Sequence, residues 1–157
     1  ATLLATLTWL DVLGPTLMFD VPGFLNVSLL ELWERNAPCN TYTASCVSRY
    51  SYKAHPMLTA AWSIPLSQSI PVAFEGFANL IASKGDNEFG GPTATETNFD
   101  GQIMFDVGAM AGGAKNTFKL GIEYQYWKNK FGNPTTTPGA GNGATARTPM
   151  IRAEYHF

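Results

Sequence analysis

Apolar and polar residues alternate with period two along most of this chain, and the alternating stretches are joined by connections that are short and long in turn. The stretches run at about 12–20, 24–35, 50–64, 71–83, 99–110, 117–128 and 148–157. Period two is the signature of a strand, whose successive side chains point to opposite faces. The connections at 21–23, 65–70 and 111–116 are brief. Those at 36–49, 84–98 and 129–147 are long and rich in Gly, Pro, Thr and Asn. Transmembrane β-barrels have short turns on one side and long loops on the other, on strands of roughly ten residues. A soluble up-and-down barrel has similar strands, but three short–long steps in phase favour a membrane. The expected fold is all-β: an antiparallel up-and-down transmembrane β-barrel, with about seven or eight strands present.

Composition agrees. Charged residues are 14% of the chain, against roughly 25% in soluble domains. Hydrophobic residues reach 45%, yet no run approaches the ~18–20 apolar residues of a membrane helix. The net charge of −2 gives no basic footprint for nucleic acid. Residues 1–10 are apolar but carry no basic start and no cleavage site of a signal peptide, so a mature form or a fragment is expected. Residues 2–9 are a candidate eighth strand.

The strands have two chemically distinct faces. At 117–128, Phe118, Leu120, Ile122, Tyr124 and Tyr126 alternate with Lys119, Glu123, Gln125 and Trp127. Lys119 and Glu123 share a face but lie about 13 Å apart along the strand, so each pairs with a neighbouring strand and not with the other. Asp100, Gln102 and Asp106 oppose Phe99, Ile103 and Phe105. Lys53, His55 and Thr59 oppose Ala54, Leu58 and Trp62. Glu75 and Asn79 oppose Val72, Phe74 and Leu80, with Phe77 and Ile81 breaking the polar face. Arg152 and Glu154 oppose Ile151 and Tyr155. The stretch 24–35 loses its alternation at Leu30, Glu31 and Leu32, where a bulge is expected.

A charge facing lipid at the midplane costs ~2–4 kcal/mol, so the charged face is expected to line the lumen. The candidate solute path is Lys53, Glu75, Phe77, Asn79, Asp100, Gln102, Asp106, Lys119, Glu123, Gln125, Trp127, Arg152 and Glu154. Phe77 and Trp127 are its candidate stacking rings, although lumen packing explains them as well. Aromatic residues gather toward both strand ends, from Phe24, Phe118 and Tyr155 at the short turns to Trp33, Tyr126 and Phe131 at the long loops. Such belts suit membrane interfaces.

Cys39 and Cys46 share one long loop, where an oxidising compartment permits a disulfide. His55 and His156 have no metal-ligand spacing, so no metal or other cofactor is expected. Ser63, His156 and Asp106 are the types a hydrolase uses, but no motif orders them. The glycine-rich 139–143 follows no βα pattern and reads as a loop. No catalytic residue is assigned.

The last residues alternate with aromatic Tyr155 and Phe157 on the apolar face. That pattern resembles the final strand of a bacterial outer-membrane barrel, read as a signal by the barrel-assembly machinery. Further strings carry a family likeness: VLGPTLM at 12–18, DVPGF at 20–24, KAHPML at 53–58, IASKG at 81–85, GIEYQYWKNKFGN at 121–133 and TPMIRAEYHF at 148–157. Together they resemble the Tsx-like outer envelope proteins of Gram-negative bacteria, relatives of the nucleoside-specific channel. The likeness covers 12–157 as a partial barrel domain and leaves 1–11 as an unmatched segment. It implies a barrel of about twelve strands, of which this chain would be the C-terminal portion, with its C-terminus on the periplasmic side. It implies contact with outer-membrane lipids and passive passage of small polar solutes, nucleosides among them. The alternative is a small closed barrel acting as a lipid-modifying enzyme or an anchor.

Overall fold

The computed structural model describes residues 7–37, 39–40, 45–46, 49–137 and 141–156. Its strands are β1 (Leu7–Leu13), β2 (Thr16–Phe19), β3 (Phe24–Ala37), β4 (Cys39–Asn40), β5 (Ser45–Cys46), β6 (Tyr50–Ser51), β7 (His55–Pro65), β8 (Val72–Ile81), β9 (Glu96–Asp106), β10 (Phe118–Lys128) and β11 (Thr145–Tyr155). A short helix, α1 (Val107–Met110), follows β9. All strand pairs are antiparallel. Nine strands form one sheet in the order β1-β3-β7-β8-β9-β10-β11, with β2 and β6 also paired to β3. β4 and β5 form a separate ribbon in the first long connection.

β1 and β2 occupy a single position. Leu13 faces Glu31 and Thr16 faces Ser28, so both keep one register against β3. The interruption is Gly14 and Pro15, across which the Leu29 N–H still donates to the Pro15 carbonyl at 3.1 Å. A Cβ on Gly14 would lie 2.0 Å from the Leu29 carbonyl oxygen, so only glycine fits there. Residues 7–9 thus begin the first strand and do not make a separate eighth one. The first strand is longer than its alternation at 12–20 indicated, because Trp9, Leu10, Val12 and Leu13 include apolar residues on both faces.

The expected bulge is also displaced. β3 pairs with β7 without a slip from Phe24 to Leu32, so Leu30 and Leu32 face one way and Glu31 the other. The slip lies in the partner. Asn36 faces Tyr50 while Leu32 faces His55, a one-residue offset absorbed at 52–54 between β6 and β7. At the end of β9 the chain turns helical where a strand to residue 110 was expected. Asp106 accepts the Ala109 N–H at 3.0 Å and starts α1 as an N-cap.

The sheet is open. Six antiparallel steps separate β1 from β11, so the two edge strands run in the same direction. The sheet is also strongly curled. Leu10 on β1 and Trp127 on β10 line one cavity of about 250 Å³, although five strand spacings laid flat would separate them by roughly 24 Å.

Burial is inverted relative to a soluble domain. Ile151 is 83% exposed and Ile122, its partner across β10–β11, is 62% exposed. Asp100 and Glu123, on the opposite face, are each 8% exposed. The concave side is the polar one. On the convex side, Trp62 packs over Gly76 between Phe74 and Phe99, with ring centroids at 5.4 and 5.9 Å.

Candidate functional site

The concave face carries charges that the register brings into contact across strands. Glu75 on β8 faces Ser63 on β7 and Gln102 on β9. Its carboxylate meets Lys119 Nζ, from β10, at 2.8 Å, and accepts from Ser63 Oγ at 3.3 Å and Gln102 Nε2 at 3.5 Å. Glu123 meets Arg152 Nη1 at 2.9 Å, and Arg152 also bonds Glu154, next to His156. Gln125 donates to Asp100 at 3.4 Å, and Thr59 donates to Asn79. Lys119 and Glu123 therefore each pair with another strand, as their spacing requires.

Of the residues read as lining the path, Glu75, Phe77, Asn79, Asp100, Gln102, Asp106, Lys119, Glu123, Gln125, Trp127, Arg152 and Glu154 share this face by register. Lys53 does not belong to the ladder. It lies in the link at 52–54, where the one-residue slip turns Tyr52 inward in its place, and it is exposed. Phe77 is 37% exposed, opposite Asp100 and Ala61. Trp127 is engaged on several sides. Its Nε1 donates to Glu96, Lys130 Nζ lies 4.7 Å from its ring centroid, and Phe131 meets it edge-on at 5.1 Å.

Sequence reasoning missed a second polar group at the long-loop end. Lys84 Nζ bonds Glu34 at 2.8 Å and sits 4.1 Å from the centroid of the Tyr52 ring. The Tyr52 hydroxyl donates to Glu88. Burial, reinforced by the Glu88 carboxylate, pushes the Tyr52 phenol well above its ordinary pKa, so it stays a donor. Here lies a cavity of about 460 Å³, lined in part by Tyr52, Lys84, Glu88, Asn87 and Phe131. Glu34 sat where alternation faded, and Lys84 and Glu88 belonged to a long loop, so no periodic signal marked them. His55 is 2% exposed and its Nδ1 faces the Lys53 carbonyl at 2.9 Å.

At the short-turn end, Asp106 accepts the Asn116 N–H at 2.7 Å as well as its helix bond. Ser63, His156 and Asp106 are thus committed to three different partners. Cys39 faces Cys46 directly across β4–β5, while their side chains, Phe157 and residues 1–6 lie outside the described residues. Among the described residues no group of three or more His, Cys, Asp or Glu could hold a metal.

Comparison with family models, with curated proteins and with solved structures finds no match to this chain.

Proposed function

We propose that this chain forms one wall of a transmembrane β-barrel in a bacterial outer membrane, and that its concave face lines a path for passive diffusion of small polar solutes, nucleosides included. The observation that carries the reading is the inverted burial. Ion pairs and buried carboxylates occupy the concave face, and large apolar side chains stand exposed on the convex one. In water such a convex face would be an aggregation liability; in lipid it is the stable arrangement.

Unpaired backbone at a strand edge costs several kcal/mol per group in hydrocarbon, so β1 and β11 need partners in a membrane. Because those strands run in the same direction, an antiparallel closure takes an odd number of further strands between them. The sheet has seven positions, nine strands less the joins of β1 with β2 and of β6 with β7. The resemblance to Tsx-like outer envelope proteins, with about twelve strands, would supply five more, an odd number. On this reading the short turns are periplasmic, the long loops face outward, and Tyr155 belongs to the strand that the assembly machinery receives.

The test is planar-bilayer conductance of the folded protein, with and without added nucleosides. Discrete conductance, reduced by a nucleoside that occupies the path, is the expected result. A folded, inserted protein without conductance would sink the channel reading.

A further inference from the structure

The convex face of β9, β10 and β11 carries charge at its long-loop end alone. Every second residue of β9 from Thr97, of β10 from Phe118 and of β11 from Thr145 stands on that face. Among these described residues only Lys128 and Arg147 are charged. Lys128 faces Thr145 and Tyr126 faces Arg147, so the two cations are diagonal neighbours, about 7–8 Å apart at the backbone. Both are exposed. The Arg147 guanidinium lies 5.7 Å from the Tyr126 ring centroid. Among the described residues neither cation has a carboxylate partner. The other cations on the strands are paired or offset. Lys119 and Arg152 hold carboxylates on the concave face. Arg35, on the convex face of β3, shares that face with Glu31 and with Asp11 of β1.

Next to this pair, toward the short turns, lies an apolar groove of about 570 Å³. Phe74 and Phe99 line it from β8 and β9, Tyr124 and Ile122 from β10, and Pro149 and Ile151 from β11. The Phe99 and Phe74 rings settle where Gly101 has no side chain. A Cβ there would lie 2.6 Å from Phe99 Cζ and 3.3 Å from Phe74 Cε2. Tyr124 and Pro149 are the first same-face pair beyond Tyr126 and Arg147. Ile122 lies about 13 Å along β10 from Tyr126, so the groove leads from the cations well into the apolar face. Its volume is within the range of small-molecule sites.

We infer that the cation pair and the groove form one docking site for a single net-anionic phospholipid, its phosphate at Lys128 and Arg147 and an acyl chain along the groove. Guanidinium and ammonium groups both bind phosphate through charge-assisted hydrogen bonds. A tyrosine at a strand end suits headgroup depth. Free phosphate gains nothing from the groove, and a lipid without net charge gains less from the cations. The inference rests on the convex face meeting lipid and adds a fixed lipid position to it.

The experiment is native mass spectrometry of the full chain folded in detergent micelles. Phosphatidylglycerol and phosphatidylcholine of equal chain length compete in equal amounts, with glycerol 3-phosphate in a separate arm. Oxygen and nickel accessibility along β10 in vesicles tests the convex-face reading by itself, so failure of that reading and failure of the site are told apart. The expected result is one phosphatidylglycerol retained per chain, about tenfold over phosphatidylcholine, and no retained glycerol 3-phosphate. Lys128→Gln/Arg147→Gln is expected to abolish that preference with the unfolding temperature unchanged, since both side chains are exposed and unpaired. Arg35→Gln, a convex cation outside the groove, is expected to keep it. Ile151→Trp, at a side chain 83% exposed, fills the groove and is expected to lose the retained lipid. Equal retention of the two phospholipids or of glycerol 3-phosphate would overturn the inference. So would an unchanged preference in the double variant, its equal loss in Arg35→Gln, or full retention in Ile151→Trp.

Discussion

Lys119 on β10 reaches across β9 to Glu75 on β8, Nζ to Oε1 at 2.8 Å. The long lysine arm and the shorter glutamate arm meet over an intervening strand because the sheet curls toward them, and the two side chains are 16% and 15% exposed. Lys119→Met leaves the Glu75 carboxylate with only its weaker Ser63 and Gln102 donors. We expect a loss of about 1–2 kcal/mol, below the 3–5 of a wholly unpaired buried charge. Urea unfolding of the double variant Lys119→Met/Glu75→Gln should recover most of that loss. Additive losses would show that the two groups do not act as a pair.

Gly76 faces Gly101 across β8–β9, beneath the Trp62 ring. A Cβ there would lie 2.2 Å from the Asp100 carbonyl oxygen and 3.0 Å from Trp62 Cζ2. The carbonyl is backbone and cannot step aside. Gly76→Ala is therefore expected to cost about 1–3 kcal/mol and to shift Trp62 emission as its packing against Phe74 and Phe99 is disturbed. An unchanged midpoint and spectrum would contradict this packing.

Trp127 supplies the indole N–H that Glu96 accepts, and Glu96 is 8% exposed. Trp127→Phe keeps an aromatic ring but leaves the carboxylate without that donor. The expected destabilisation is about 1–2 kcal/mol, and Trp127→Phe/Glu96→Gln should be closer to wild type than the single variant. Thermal unfolding of the set decides it.

Cys39 and Cys46 occupy directly opposed positions of an antiparallel ribbon. Opposed residues have Cα atoms about 4.5–5.5 Å apart, inside the range a disulfide spans. Protein folded under oxidising conditions should resist alkylation until reduced, with a mass about 2 Da below the dithiol form. Two readily alkylated thiols in unreduced protein would rule the bridge out.

The strands were legible because a sheet with one polar and one apolar face leaves a chemical trace on both. Phe118 to Tyr126 alternates without exception, and β10 runs from Phe118 to Lys128. The polar face was legible for the same reason. Register was not, since alternation says which face Lys119 occupies but not that Glu75 stands two strands away. The slip at 52–54 was hidden because Lys53 is polar and fits the alternation, yet it is Tyr52 that the offset turns inward. The start of the first strand was hidden by Val12 and Leu13, which are apolar on opposite faces. The long-loop group was hidden because Lys84, Glu88 and Phe131 lie in irregular backbone, where no period exists to be read.

The central claim is that the convex face meets lipid and the concave face meets water. It is tested most directly by spin labels placed one at a time along 118–126 of β10, in protein reconstituted into vesicles with Cys39 and Cys46 replaced by Ser. The account predicts period-two accessibility: labels at 118, 120, 122, 124 and 126 accessible to oxygen and shielded from a water-soluble nickel relaxant, and labels at 119, 121, 123 and 125 the reverse. Nickel accessibility at 120 and 122 equal to that at 123 and 125 would contradict it.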